Sequence, residues 1–285
     1  MEKTVHKFMK FLENERGLTN NTLQSYKKDV EQYIKYLREV DIQSVELTEK
    51  STIASYIMTL QKRGRATSTI SRNLASIRSY YQYLKENKKI TINPALELES
   101  PKVEKKLPQI LTIEEIKYLL EQPKCTDLKG YRDKAMLKLL YSTGIRVSEL
   151  ISLDITDVNT EMGFIKCKNC SKERIIPTGA GAIKSLTDYM KNSRNNLIGD
   201  NNEKALFVNV NGSRLTRQGF WKIIKQYKNQ AHIDKDITPH TLRHSFAAHM
   251  FENGVELKTI KEILGHSDIS STQIYAQLRK NQGIH

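Results

Sequence analysis

The sequence has no long apolar run. No apolar run in its 285 residues approaches the roughly 18 consecutive apolar residues that a membrane-spanning helix needs. Residues Met1 to Gly17 alternate charged and apolar side chains instead of forming the apolar centre of a signal peptide. We therefore expect a cytoplasmic protein that does not bind a membrane.

Cysteine is scarce, and the common metal and nucleotide patterns are missing. There are three cysteines, an odd number, and a chain of this length needs no disulfides, so a reducing compartment is expected. Cys167 and Cys170 lack a second pair, and His240, His244 and His249 lack the His-Glu-x-x-His spacing. No glycine-rich loop precedes a Lys and a Ser or Thr. We expect neither a metal nor a nucleotide cofactor.

Acidic charge is also in short supply. The 32 Asp and Glu face 46 Lys and Arg, which leaves a net charge of +14 and a pI near 9.5. The first 50 residues are balanced, with nine of each sign, whereas residues 62–89 carry eight basic side chains and only one acidic one. Such an excess attracts polyanions, and the local run is a candidate for phosphate binding. Taken alone, the run is also explained by a solvated helix face.

Apolar residues recur at helical spacing four times in the first 90 residues. The segments are Val5 to Leu12, Leu23 to Leu37, Ile53 to Leu60 and Ile70 to Leu84. A bundle of four helices buries one stripe per helix. In the fourth helix the predicted core residues are Ile70, Leu74, Ile77, Tyr81 and Leu84.

Half of the six prolines lie close together, at positions 94, 101 and 108, where helical periodicity stops. This predicts a helical domain over residues 1–92, a linker over 93–111 and a second domain over 112–285. Thr112 and Glu115 have capping-box spacing at the start of the second domain. Predicted helices there are Tyr131 to Ser142, Val147 to Leu153, Ala180 to Met190, Arg217 to Ala231, Pro239 to Asn253, Leu257 to Leu264 and Ser271 to Arg279, with one hairpin from Phe164 to Pro177.

Two arginines stand where they could bind one phosphate. Arg146 follows the turn at Gly144, and a guanidinium there can fork onto two phosphate oxygens. His240 and Arg243 are three residues apart on a predicted helix and so project from one face. Two converging arginines would stabilise the charge of a pentacovalent phosphorus transition state without a metal. Each residue taken alone is more often structural.

Tyr275 lies nine residues after His266. Ser270 and Gln273 have capping-box spacing, which places Tyr275 in the first turns of a short helix, where we expect an exposed phenol. The sequence has 13 tyrosines, and Tyr275 follows Ile274, so packing in the core is the alternative.

Four stretches together resemble the tyrosine recombinases of the phage integrase family, and most of all the bacterial Xer-type enzymes. They are residues Thr143 to Leu150, Pro239 to His244, Leu264 to Asp268 and Thr272 to Tyr275. The resemblance covers nearly the whole chain. It implies a mostly α fold with a small β-sheet, in which a four-helix SAM-like domain clamps DNA and an α+β domain is catalytic.

The resemblance also implies roles. Tyr275 attacks the scissile phosphate to give a 3′-phosphotyrosyl link, Arg146 and Arg243 clamp that phosphate, and His266 donates a hydrogen bond to it. A phenol with a pKa of about 10 needs a proton acceptor, and we expect His240 to serve. Glu149 is expected to hold Arg146 in place.

The family's catalytic lysine lies in a hairpin whose sequence departs here from the usual pattern. Residues 166–172 read Lys-Cys-Lys-Asn-Cys-Ser-Lys ahead of Glu173 and Arg174. Strand alternation places Lys166 and Lys168 on one face, and the turn should begin near Asn169. We predict Lys168 as the general acid for the leaving 5′-hydroxyl, with Lys172 as the alternative.

The implied partners are two double-stranded DNA sites, a tetramer of identical or paired recombinases, and a DNA translocase as activator. Ten residues follow Tyr275. In the family a C-terminal helix commonly docks on a neighbouring subunit, and the short tail leaves the strength of that contact open here. The competing hypotheses are a DNA-binding protein that has lost catalysis and a topoisomerase that uses the same chemistry.

Overall fold

The computed structural model describes residues 1–101, 108–169, 172–199, 201–265 and 272–275. The chain divides into two compact units, Met1–Lys105 and Lys106–His285. Both units are mainly helical, and a small sheet lies in the second. Within the described ranges, no helix is both long and apolar enough to cross a bilayer.

The first unit contains four long helices, as predicted. They are α1 (Glu2–Asn14), α2 (Asn20–Glu39), α3 (Lys50–Lys62) and α4 (Thr67–Glu86). The predicted core stripe of α4 is confirmed, since Ile70, Leu74, Ile77, Tyr81 and Leu84 are all buried. Each helix extends beyond its apolar segment because the first and last turns are polar and carry no periodic signal.

A buried carboxylate ties α2 to α4. Asp29 accepts hydrogen bonds from Asn73 Nδ2 and Ser76 Oγ, both at 2.9 Å, and pairs with the guanidinium of Arg72. Desolvation raises the pKa of Asp29, and the three donors oppose that shift. Arg72 is thereby held at the surface with 42% of its side chain exposed.

The second unit is built around a central buried helix. Its helices are α5 (Ile113–Glu121), α6 (Leu128–Thr143), α7 (Val147–Ser152), α8 (Ala180–Tyr189), α9 (Asn195–Ile198), α10 (Arg217–Gln230), α11 (Pro239–Glu252) and α12 (Leu257–Leu264), with one further helical turn at 272–275. Met136, Leu137, Leu139 and Leu140 of α6 are fully buried, and this helix packs on α5, α8 and α11. The capping box of Thr112 and Glu115 begins α5, as predicted.

The sheet has three antiparallel strands in the order β1 (Val158–Asn159), β2 (Phe164–Asn169) and β3 (Lys172–Pro177). Ile165 and Cys167 are fully buried while Lys166 and Lys168 point away from the core, so the predicted alternation is confirmed. In the hairpin register Cys167 lies opposite Arg174.

The helix that begins at Ala180 does not stop where the sequence predicted. It continues through a π-helical segment, Met190–Arg194, into α9. Arg194 is buried and donates to the carbonyl oxygens of Glu203 and Ala205, while Ser193 donates to Leu128 O at 2.6 Å. These polar side chains satisfy backbone carbonyls far along the chain, which is why apolar periodicity could not reveal the continuation.

Candidate active site

Arg146 stands at the N-terminus of α7, after a turn that only glycine can make. Gly144 ends α6 with φ +59°, and a Cβ there would lie 2.3 Å from the Phe246 ring. The backbone N–H of Arg146 donates to Glu149 Oε2 at 2.8 Å, and its Nη2 donates to Gly265 O at 3.0 Å. One third of the Arg146 side chain remains exposed. Its guanidinium is therefore anchored on one edge and open on the other.

His240 and Arg243 lie in the first two turns of α11. Thr238 caps this helix and Pro239 occupies its first position. Arg243 is buried and donates from Nη1 to Gly144 O at 2.5 Å and from Nη2 to Leu264 O at 2.6 Å. Burial, and then Arg146, lower the pKa of Arg243 to about 10, so it keeps its charge at neutral pH.

His240 is exposed and uncharged near neutral pH. Desolvation of the ring lowers its pKa, and the positive charges of Arg243, Arg146 and Arg217 lower it further. A neutral imidazole has a nitrogen that can accept a proton. The electrostatics of the site therefore suit the role of base that we assign to His240.

A third arginine, Arg174 on β3, completes the cluster. Its Nη1 and Nη2 donate to the two oxygens of Glu149 at 2.8 and 3.0 Å, and its Nε donates to Ile263 O at 3.3 Å. Gly265 ends α12 with φ +63°, and a Cβ there would lie 3.0 Å from the Arg174 guanidinium. Three successive carbonyls at the end of α12 thus each accept from a different arginine. The negative end of the helix dipole favours these cations.

The Glu149 carboxylate binds the Arg174 guanidinium more closely than the Arg146 guanidinium. Its contact with the Arg146 guanidinium is long, at 3.5 Å, whereas Arg174 binds both of its oxygens. Hydrogen bonds from Arg174 and from the Arg146 backbone keep the pKa of Glu149 low although burial opposes them. The sequence expectation that Glu149 positions Arg146 holds for the backbone N–H and, weakly, for the side chain.

Tyr275 is buried, and the expected exposed phenol is wrong. Only 1% of the residue is exposed, and its ring packs with Ala247, Ile260 and Leu264. Its hydroxyl lies 2.8 Å from Nδ1 of His244. Burial raises the pKa of Tyr275 to about 12, although the charge of Arg243 acts in the opposite direction. The phenol is thus protonated and shielded from solvent in this conformation.

The sequence did not predict that His244 would contact the Tyr275 hydroxyl. It lies one turn after His240, with the two ring centroids 6.4 Å apart. Burial lowers its pKa to about 4, and His240 and Arg243 contribute to the shift. A neutral His244 can accept the hydrogen bond of the Tyr275 hydroxyl at Nδ1.

Lys168 extends from β2 and pairs with Asp157, with Nζ 3.2 Å from Oδ1. The pairing raises the pKa of Lys168, whose side chain is 67% exposed. Asp157 had no signal in the sequence because it reaches Lys168 only through the register of the sheet. The Lys172 side chain, His266 and the ten residues after Tyr275 lie outside the part of the chain that the structure describes.

Two protein-family models match this chain. One, described as "Phage integrase family", matches residues 109–282. The other, "Phage integrase, N-terminal SAM-like domain", matches residues 5–88. Together they bear out the fold predicted from the sequence.

Curated relatives match over almost their full length. "Tyrosine recombinase XerD" of Staphylococcus haemolyticus is 44% identical, over 99% of this chain and 96% of the relative. The proteins of the same name from Oceanobacillus iheyensis and Halalkalibacterium halodurans are 47% and 45% identical. They cover 98% and 99% of this chain, and 95% of each relative is matched.

Solved structures share the fold. The XerA recombinase is 25% identical with a TM-score of 0.56, over 100% of this chain and 99% of the other. The XerH site-specific recombinase, bound to its palindromic difH substrate after cleavage, has a TM-score of 0.78 at 21% identity. That match covers 98% of this chain and 84% of XerH. At 21% identity, the similarity to XerH shows a shared fold and nothing more.

Proposed function

This chain belongs to the phage integrase family of tyrosine recombinases, and we propose that it cuts and rejoins duplex DNA at specific sites through a covalent Tyr275 phosphodiester. The observation that carries the proposal is that Arg146 and Arg243 donate hydrogen bonds to adjacent carbonyls at the end of α12. Tyr275 packs on the same helix. Two guanidinium groups can bind a phosphate and a phenol can attack it, and here all three groups lie beside the same helix.

In the first step the Tyr275 hydroxyl oxygen attacks phosphorus and the bond to the 5′-oxygen breaks. The phenolic proton passes to a base, and the leaving oxygen takes a proton from an acid, so the DNA ends as a 3′-phosphotyrosyl strand and a free 5′-hydroxyl. A 5′-hydroxyl from the second site then attacks the phosphotyrosine and restores both the phosphodiester and the phenol. Bond energy is conserved, so ATP is not consumed.

We assign the base to His240 and the acid to Lys168. His240 is exposed and neutral, whereas His244 is half-buried with a pKa lowered to about 4 by burial and is therefore the weaker base. We infer that His244 holds the phenol in the free protein and that His240 takes its proton once Tyr275 has reached the phosphate. Lys168 carries a proton at neutral pH, as a lysine ordinarily does, and its pairing with Asp157 raises its pKa further. Lys172 stays the alternative acid.

Arg146 and Arg243 would neutralise the charge that grows on the nonbridging oxygens in the transition state. Removing one such donor in other enzymes costs about 10²–10³ in rate. His266 is proposed to donate a hydrogen bond to the same phosphate. It directly follows Gly265, whose carbonyl Arg146 binds.

The partners proposed for this chain are double-stranded DNA and three further recombinase subunits, identical or paired. A further partner outside the tetramer, a DNA translocase that activates the reaction, stays a prediction from the family. We propose that the protein works in the cytoplasm, where it either resolves chromosome or plasmid multimers or moves an integrated element. The N-terminal unit is proposed to clamp DNA.

Two rivals are not favoured. An inactive DNA-binding protein has no need of Arg146, His240, Arg243 and Tyr275 together. A topoisomerase would relax supercoiled DNA without exchanging partners. An assay on a plasmid distinguishes the recombinase from these two rivals. A binding site is first selected from a random duplex library, and two copies of it are placed in the plasmid. We expect the recombinase to resolve this plasmid into two circles. Relaxation alone would support the topoisomerase, and an unchanged plasmid together with no covalent adduct on a nicked duplex would support the inactive protein.

A further inference from the structure

The arginine that touches Glu149 most closely is not one of the two assigned to the phosphate. Glu149 has 7% of its side chain exposed, Arg174 has 18% and Arg146 has 33%. The buried carboxylate thus lies between a mostly buried guanidinium and a more open one. Its charge can satisfy either, and the geometry decides which.

Arg174 binds the Glu149 carboxylate more strongly than Arg146 does. Its fork spans both Glu149 oxygens at 2.8 and 3.0 Å, which is the bidentate arrangement that gives the strongest pairing. The backbone N–H of Arg146 takes a second position on Oε2. What is left for the Arg146 guanidinium is one contact of 3.5 Å.

Without Arg174 this balance would reverse. A buried carboxylate that loses its partner is strongly destabilised and takes up the nearest cation available. The nearest is the guanidinium of Arg146, which already lies against Oε1. An Arg146 that forks onto Glu149 has fewer N–H groups and less net charge to offer a phosphate.

We propose that Arg174 is a positioning residue that occupies Glu149 and so keeps the Arg146 guanidinium free for the scissile phosphate. The inference rests on the proposed function. Arg174 is not assigned to the phosphate, because three of its five N–H groups are used on Glu149 and Ile263 O. Its position opposite Cys167 also places it on the hairpin that carries Lys168.

The test compares Arg174→Gln, Glu149→Gln and the double variant in single-turnover cleavage of a nicked duplex. Arg174→Gln should be slower than the unchanged protein by at least tenfold, because Glu149 now competes for Arg146. Adding Glu149→Gln removes the competing charge, while its amide oxygen still accepts from the Arg146 backbone, so the double variant should regain most of that loss. A double variant as slow as Arg174→Gln, or slower, would show that Arg174 only supports the fold.

A second substrate makes the test independent of folding losses. In a methylphosphonate duplex one nonbridging oxygen of the scissile phosphate is a methyl group, so the charge that Arg146 would bind is absent. The rate deficit of Arg174→Gln should shrink at least tenfold on this substrate. The same deficit on both substrates would overturn the proposal. Arg174→Lys is measured in the same way, because it keeps the positive charge beside Glu149 but loses the fork.

Arg214→Gln is the matched control. Arg214 also binds backbone carbonyls, at Ile151 and Leu153, and pairs with Asp154. Its loss should affect stability and give the same relative rate on both substrates. If the unchanged protein forms no covalent product at all, the proposed function fails. If it does and Arg174→Gln matches its rate, only the present inference fails.

Discussion

Three guanidinium groups crowd around the end of α12, and their mutual repulsion has to be offset. Glu149 supplies one negative charge, and the carbonyls of residues 263–265 supply the negative end of a helix dipole. Burial, and then the charge of Arg146, lower the pKa of Arg243 to about 10. The negative charge of a bound phosphate would offset the repulsion among the three arginines, so the free site is suited to an anion.

His244 should make the stability of the second unit depend on pH. Burial lowers its pKa to about 4, below the roughly 6.5 of an unfolded histidine, so the unfolded chain binds the proton more readily. Stability should therefore be full above pH 6.5 and fall as the pH drops towards 4. By pH 5 the loss from His244 should be at most about 2 kcal/mol.

Urea unfolding at pH 7 and pH 5 measures this effect. His244→Asn provides the comparison, since its side-chain oxygen can still accept from Tyr275 but does not titrate. The variant should lose less stability between the two pH values than the unchanged protein. Equal losses would place the pH dependence on His240 or His249, whose pKa values burial also lowers.

Among the site residues, the sequence predicts those that its motifs carry and misses those that act through distant contacts. Arg146, His240 and Arg243 stand in motifs of a few residues. Arg174 meets Ile263 across 89 positions, and His244 meets Tyr275 across 31. No local pattern encodes such pairs, because they depend on how β3, α11 and α12 pack.

At the level of elements, the turn between α6 and α7 aims Arg146. Gly144→Ala should destabilise the second unit by about 3 kcal/mol, the sum of roughly 1–2 for the left-handed backbone and the overpacking against Phe246. Gly254→Ala is the matched control, because Gly254 has φ +84° but nothing within 4 Å of a Cβ. It should lose only about 1–2 kcal/mol. Thermal unfolding of both variants checks the prediction, and equal losses would contradict it.

The hairpin and the helices that bury one face followed from periodicity. The π-helical segment Met190–Arg194 did not, since its core contacts are made by the polar residues Ser193 and Arg194. The burial of Tyr275 was missed for a related reason. Capping spacing identified its helical turn but not the apolar surface of Ala247 and Ile260 that receives it.

For the whole molecule, the net charge of +14 predicts DNA binding that weakens steeply with salt. Not every basic residue contributes. Arg72 is 42% exposed, whereas Arg78 donates to Ala95 O and Leu98 O at 3.2 and 2.6 Å. Arg78 therefore supports the fold of the first unit.

This difference gives a paired prediction. Arg72→Gln should reduce the slope of log K against log salt concentration by about 0.9, the contribution of one phosphate contact, and it should also lower the melting temperature because Asp29 loses its charged partner. Arg78→Gln should leave the slope unchanged and lower the melting temperature. Fluorescence anisotropy with a labelled duplex across a salt series measures the slopes. An unchanged slope for Arg72→Gln would remove that residue from the DNA interface.

The central claim is that Tyr275 becomes covalently joined to DNA. A duplex that carries the selected site and a nick beside the scissile phosphate traps the product, since the short strand diffuses away after cleavage. Peptide mass spectrometry of the denatured adduct should locate the nucleotide on the peptide that contains Tyr275, and Tyr275→Phe should form no adduct. An adduct on another residue, or one formed by Tyr275→Phe, would contradict the account.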